Sequence, residues 1–284
     1  MANAGPMANV RLMMQYRNDF LRAPALRPLV MALLAGALLW LQAGIARAAA
    51  EGTSAVVFMY HRFAESDYPS TSVTLGQFEA HLRELREGGY TVLPLTRIIA
   101  DLKAGRPLPD RTVAITIDDA FRSIYEVAWP RFREAGLPFT IFVSTDPVDR
   151  GLDDYMTWEQ LRELRDAGVD LQPHSLSHDH LAAMPLDQST REITGSRDRL
   201  EEMLGIRTTL FAYPYGDYGD RAAAVVAAAG YLFGIATVSG PLHCADDFYR
   251  IRRINMMPKD QGLKFWKKTS GWYLRYCRWK GKDF

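Results

Sequence analysis

Beyond residue 50 the chain alternates between short apolar runs and stretches of helical periodicity. Residues 56–60, Val-Val-Phe-Met-Tyr, form an unbroken apolar run that His61 ends, as in a strand buried on both faces. Thr74-Leu75-Gly76-Gln77 has the spacing of a capping box, and Phe78, Leu82 and Leu85 follow at helical intervals until Gly88-Gly89. His81 falls inside this helix and is expected at its surface. Residues 91–95 read as a short strand, and Ile98, Ile99 and Leu102 mark a helix ending at Gly105. After a proline-rich loop, residues 113–117 form a central strand. Residues 121–134 form a helix that Pro130 should kink. A strand over 139–144 follows. Thr157-Trp158-Glu159-Gln160 is a second capping box, opening a helix that stops at Gly168. A strand over 169–172 leads to His174, and Ile193, Arg197, Leu200 and Leu204 lie along one helix face. Strands over 208–213, 232–237 and 250–256 and an alanine-rich helix over 220–229 complete the pattern.

Seven or eight strands, mostly followed by helices, predict an α/β fold with a parallel sheet. An open doubly wound sheet and a closed barrel both satisfy this alternation. The polar residues favour the barrel: His61, Asp118, Asp119, His174 and Pro214-Tyr215 each sit just past the C-terminal end of a predicted strand. Strand ends converge on one pocket in a (β/α) barrel, whereas an open sheet spreads them along a line. The expectation is a distorted or incomplete barrel. No internal repeat or linker interrupts residues 51–258, which read as one catalytic domain.

The first fifty residues differ in kind. Arg11, Arg17, Arg22 and Arg27 precede an apolar run over 29–45 and a small-x-small pattern, Ala46-Arg47-Ala48. This is the form of a secretory signal peptide, with an uncleaved membrane anchor as the alternative. Either places the catalytic part outside the cytoplasm, in the periplasm or cell envelope. The formal net charge of +1 argues against a nucleic-acid partner. Cys244 and Cys277 could pair in an exported protein or remain free thiols, and they make no zinc-binding cluster. Residues 259–284 mix basic and aromatic side chains, among them Lys264, Trp266, Trp272, Arg275 and Trp279. They could lie on an anionic membrane surface, stack on sugar rings, or cap the fold.

The candidate chemistry centres on Thr116-Ile117-Asp118-Asp119 and on His174-Ser175-Leu176-Ser177-His178. Adjacent carboxylates held near a pocket repel unless each has a cationic partner. Histidines at i and i+4 point the same way if their segment makes a helical turn. His180, two residues beyond His178, is turned away by the same geometry. Asp and His donors suit Zn²⁺ and its neighbours, and three protein ligands leave open positions for water and substrate. Such a metal lowers the pKa of bound water from about 15.7 to about 7, and the other aspartate of the pair is a base to complete its activation. The competing account makes Asp118-Asp119 an acidic helix start, and it leaves the histidines unexplained.

These two motifs resemble those of the polysaccharide deacetylases, the chitooligosaccharide-deacetylase-like carbohydrate esterases. Phe211-Ala212-Tyr213-Pro214-Tyr215-Gly216 looks like the family's third motif, and Thr157-Trp158-Glu159-Gln160-Leu161 resembles the stretch leading into the histidine motif. The resemblance implies Asp118 as general base and Asp119, His174 and His178 as ligands of Zn²⁺, or of Co²⁺ or Ni²⁺. It implies a substrate site including Pro214 and Tyr215, with the Tyr215 backbone N–H beside the developing oxyanion. Two departures stand out. The arginine that steadies the base in the family is replaced by Ala212, leaving Arg250, Arg252 and Arg253 as substitutes, of which Arg253 is preferred and is counted with Pro214 and Tyr215 among the expected substrate-binding residues. The apolar-x-His that supplies the acid late in the family sequence has its counterpart in Met59-Tyr60-His61, on the first strand, whereas Leu242-His243 lacks that spacing and sits in a predicted loop. This order suggests a circularly permuted barrel and looks like the deacetylases of exported poly-N-acetylglucosamine, a biofilm polymer. His61 is then the expected acid and His243 the fallback. The resemblance implies a metal-dependent hydrolase that removes N-acetyl groups from an N-acetylated glycan, using water on the metal as nucleophile. The alternatives are a deacylase of a lipid-linked sugar and an inactive glycan-binding module.

Overall fold

The computed structural model describes residues 54–243 and 246–256. The leader, Cys244, Cys277 and the basic aromatic segment lie outside the described residues. Among the described residues no helix is long and apolar enough to cross a membrane.

The first strand, β1 (Ser54–Tyr60), carries the apolar run that ends at His61. Two short strands, β2 (Arg62–Phe63) and β3 (Ser72–Val73), pair with each other ahead of α1 (Leu75–Glu87). The chain continues through β4 (Thr91–Val92), α2 (Leu95–Lys103) and the central β5 (Thr112–Asp118). A π-helical turn (Ile124–Ala128) runs into α3 (Trp129–Glu134), followed by β6 (Thr140–Val143) and the short α4 (Thr145–Asp149). Next come α5 (Trp158–Asp166), β7 (Asp170–Pro173) and the long α6 (Leu186–Leu204). The last elements are β8 (Leu210–Ala212), α7 (Asp220–Ala228), β9 (Phe233–Ile235), β10 (Leu242–His243) and β11 (Ile254–Asn255).

The main sheet has seven strands, ordered β10-β1-β5-β6-β7, with β11 also on β1 and β4 also on β5. Every pairing is parallel except β10 with β1. The parallel α/β class therefore stands. β8 and β9 form a separate parallel pair, and no ladder joins β7 to β8 among the described residues. That seam is spanned by a side chain: Gln172 Oε1 accepts the N–H groups of Thr209 and Leu210, each at 2.9 Å.

The strands sort their side chains with period two. Val56, Phe58 and Tyr60 of β1 and Val113, Ile115 and Ile117 of β5 enter one core, covered by Phe78, Leu82 and Leu85 of α1, Phe132 of α3 and Leu161 and Leu164 of α5. Ala55, Val57 and Ala114 face a second core with Phe142, Leu210, Ala212 and the α2 residues Leu95, Ile98, Ile99 and Leu102. Thr116 and Asp118 follow Ala114 at two-residue steps, so alternation alone carries the Asp118 side chain to the second face at the strand's C-terminal end.

Both predicted capping boxes form, at Thr74 with Gln77 and at Thr157 with Gln160. Four local expectations need correction. Leu95 opens α2, so the strand before it is only two residues long. Pro130, which lacks an N–H, is taken up by the preceding π-helical turn and sits in the first turn of α3, where no donor is needed. His81 is not at the surface: it is 1% exposed and its Nδ1 lies 3.1 Å from the Tyr60 hydroxyl, because residue 81 falls on the same helical face as Phe78 and Leu85. Leu242-His243 is a strand, not a loop. Its backbone pairs with Ser54 and Ala55, at the end of β1 away from His61.

Candidate active site

Asp118 closes β5, and the chain then turns sharply through Asp119 (φ 76°) and Ala120 (φ 63°). Two successive left-handed residues with a Cβ are strained, and such strain persists where the surroundings over-determine it. Here Met156 donates its N–H to the Ala120 carbonyl at 3.0 Å, and Arg122 donates to Asp154 at 2.7 Å. The turn lets neighbouring carboxylates reach one pocket from the end of a single strand.

Asp118 is 1% exposed and Arg253 is fully buried beside it. The guanidinium donates Nη1 to Oδ1 at 2.6 Å and Nη2 to Oδ2 at 2.8 Å, a bidentate charge-assisted pair. Arg253 is itself held by Nε to the Ala236 carbonyl at 2.9 Å and by Nη1 to Thr116 Oγ1 at 3.2 Å. Burial alone would raise the Asp118 pKa, but the attraction of Arg253 and of His174 brings it below the ordinary carboxylate value. Arg250 is drawn instead to Asp220 and Asp247.

His174 follows β7 and extends the sheet by donating its N–H to the Val143 carbonyl at 2.8 Å. Its Nδ1 lies 2.8 Å from the Ala212 carbonyl. A carbonyl only accepts, so Nδ1 carries the proton and Nε2 presents a lone pair, which is the tautomer a metal ligand needs. Nε2 points at Asp119 Oδ1, 3.5 Å away, and His178 Nε2 approaches the same oxygen at 3.1 Å. The segment between the histidines is not a helical turn. Ser175 (φ 67°) and His178 (φ 64°) take left-handed conformations, and this turn brings the rings to 4.9 Å between centroids. The convergence expected from i,i+4 spacing is present, with a different cause.

Asp119, His174 and His178 each offer a ligand atom, all within 4.8 Å of one another. Donors about 2.1 Å from one cation in tetrahedral array stand about 3.4 Å apart, close to the two separations from Asp119. Among the described residues, Oδ1 of Asp119 is buried without a geometrically formed hydrogen bond, and His178 Nε2 stands 3.1 Å from it. A buried anionic oxygen of this kind, faced by two imidazole nitrogens, fits a divalent cation. Burial would raise the Asp119 pKa, yet the histidines facing it hold it well below the usual range. Burial lowers the His174 pKa, and Asp119 raises that of His178 against its burial.

These residues open on a cavity of about 540 Å³ lined by His61, Asp118, Asp119, His174, His178 and Tyr215, with Met59, Thr71, Thr237, Ser239 and Asn255 completing the wall. A second groove, of about 580 Å³ between α1 and α3, gathers arginines and glutamates but no histidine. Chemistry therefore selects the first. Tyr215 (φ 58°) is 57% exposed and its ring stacks on His180 at 4.0 Å. His180, set aside on spacing, thus belongs to the rim. Pro214 is buried and Arg253 lies behind Asp118, so neither of these two expected substrate contacts lines the cavity. Thr71, Thr237 and Ser239, outside the strands, and Asn255, in β11, carried no sequence signal, since single polar residues at such positions are ordinary.

Residues 105–234 match the family model described as polysaccharide deacetylase. Over that stretch the chain is similar to the polysaccharide deacetylases. Both aspartates and both histidines lie within the matched stretch, whereas His61, which lines the cavity, and Arg253, which backs Asp118, lie on either side of it in sequence. The chain is similar to the poly-β-1,6-N-acetyl-D-glucosamine N-deacetylase of Staphylococcus aureus (strain MSSA476), at 26% identity over 211 residues, 69% of this chain and 72% of the relative. YxkH of Bacillus subtilis, whose name assigns it provisionally to the polysaccharide deacetylases, is 26% identical over 74% of each chain. Among solved structures, the Streptococcus pyogenes deacetylase PplD in complex with acetate superposes with a TM-score of 0.72 at 25% identity, over 77% of this chain and 99% of PplD.

Proposed function

We propose that the protein is a divalent-metal-dependent N-deacetylase of N-acetylglucosamine polymers, built on an incomplete (β/α) barrel whose open seam lies between β7 and β8. The observation that carries this reading is the convergence of Asp119, His174 and His178 on one point beside an arginine-paired Asp118, at the floor of an open cavity. The similarity to a named poly-N-acetylglucosamine deacetylase supports the substrate class.

A divalent cation held by Asp119, His174 and His178 would supply a Lewis acid for the acetamide carbonyl and would acidify water. The chain's own residues do the rest. Asp118, ionised at neutral pH, takes a proton from the attacking water as oxygen bonds to the carbonyl carbon. The backbone N–H of Tyr215 faces the developing oxyanion. His61 gives a proton to the amine nitrogen as the C–N bond breaks, leaving acetate and a free glucosamine unit. Arg253 keeps Asp118 ionised and oriented. It supplies the guanidinium that Ala212 cannot, which removes the feature favouring a non-catalytic binding module.

Purified protein with Zn²⁺ should release acetate from β-1,6-linked N-acetylglucosamine oligomers. Asp118→Asn should retain the metal and lose rate by about 10²–10⁴-fold, the usual contribution of a general base. Acetate release undiminished in that variant would remove Asp118 from the role. No release from any N-acetylated glycan would sink the reading as a whole.

A further inference from the structure

The loop from His174 to His178 holds two left-handed residues, Ser175 and His178, and strain of that kind needs a counterweight. Much of it comes from α6. Glu192 directs its carboxylate into the loop, and Oε2 accepts the N–H of Leu176 at 3.0 Å and of Ser177 at 2.9 Å. Two consecutive backbone N–H groups aimed at one oxygen make an anion nest, here filled from within the chain. Gly195 lies one turn further along the same helix face. A Cβ at that position would stand 2.9 Å from Leu176 Cδ1, so helix and loop lie close here, and an alanine would need only the end of the Leu176 side chain to shift.

The two histidines are held differently. His174 is fixed by the sheet through its N–H and by the Ala212 carbonyl through Nδ1. His178 lies at the far end of the strained loop. Its N–H donates to Ser175 Oγ at 2.9 Å, so its backbone placement depends on the loop itself. The opposite side of the loop is tied to α4, where Thr145 and Asp146 donate to the carbonyls of Ser175 and Leu176 at 3.3 and 3.0 Å.

We propose that Glu192 is a positioning residue for the Asp119–His174–His178 group: its carboxylate, bound to two successive loop amides, sets the loop that carries His178 and so sets the affinity for a divalent cation. This rests on the metal reading above. Glu192 bonds only the backbone of the loop, and its effect passes through His178.

The test uses the full chain and its E192A, E192Q and G195A variants, with two readouts. Zinc affinity is measured by competition with a chromophoric chelator. Amide hydrogen exchange at Leu176 and Ser177 is measured in the metal-free protein. E192A should weaken zinc binding by about 10- to 100-fold, the usual cost of losing an outer-shell partner, and should speed exchange at both amides. E192Q keeps an acceptor oxygen in place and should recover most of the affinity. G195A, with Glu192 intact, meets only the movable end of the Leu176 side chain and should keep zinc affinity within a few-fold of the wild type. Should E192A fail to fold, E192D, whose shorter side chain draws the carboxylate back from both amides, decides in the same way. Unchanged affinity and unchanged exchange in E192A would overturn the assignment. Amide protection that depends on Glu192, with no zinc uptake even by the wild type, would instead overturn the metal reading and confine Glu192 to anchoring the loop.

Discussion

Arg253 is the residue on which the site's electrostatics turn. It is buried without solvent and paired through both terminal nitrogens to Asp118, so removing either partner strands the other. Breaking a buried pair of this kind costs about 3–5 kcal/mol. Arg253→Met should therefore destabilise the protein by about that amount in chemical denaturation. It should also shift the pH dependence of activity. Arg253 lowers the Asp118 pKa, so its loss raises that pKa and moves the acidic limb of the pH–rate profile upward. An unmoved limb would mean that Asp118 is not the group that must be ionised. The same sign governs stability. A carboxyl whose folded pKa is depressed contributes stability above its unfolded value, and that contribution is lost as pH falls through the folded one. Acid unfolding of the wild type should include this loss, and Asp118→Asn should lack it.

At the scale of elements, the seam between β7 and β8 is the weak point of the sheet. The Gln172 side chain does there what a ladder does elsewhere, accepting from Thr209 and Leu210 while its Nε2 donates to Asp170 at 2.6 Å. Gln172→Ala should leave the buried N–H of Leu210 without an acceptor, at about 1–3 kcal/mol, and that of half-buried Thr209 at less, and lower the denaturation midpoint accordingly. It should also loosen β8, whose Ala212 carbonyl orients His174, and so weaken metal binding. Urea titration and metal competition on one variant separate these two consequences. A variant as stable as wild type would show that water replaces the amide at the seam. The π-helical turn before Pro130 shows the opposite adjustment, a backbone that re-spaces itself around a missing donor.

For the molecule as a whole, the candidate site ties together strands from widely separated parts of the chain. β1 leads to His61, β5 ends at Asp118, β7 leads to His174, and Arg253 precedes β11. A cation bound only by the folded state should stabilise all of them together. At about 100 times its dissociation constant the gain is about 2.7 kcal/mol. At about 2–4 °C per kcal/mol this raises the melting temperature by about 5–10 °C. Calorimetry with Zn²⁺ and then with excess chelator checks this. A melting temperature that ignores both would argue against a cation bridging Asp119 to the histidines.

The local physics was legible in the residues themselves. Apolar runs and capping boxes placed β1, α1, β5 and α5, because strand alternation and helix capping depend only on near neighbours in sequence. The two motif stretches likewise named Asp118, Asp119, His174 and His178, since their spacing is itself local. Tertiary structure alone decided the rest. The inward turn of His81 followed from the helix face it shares with Phe78 and Leu85, but only the fold set the Tyr60 hydroxyl against it. Among three candidate arginines only Arg253 reached Asp118, 135 residues away, because β11 packs beside β1 and β1 beside β5. Glu192 and Gln172 carry no motif, and a glutamate on a helix or a glutamine in a strand gains its role only from the unpaired backbone groups that folding sets in front of it.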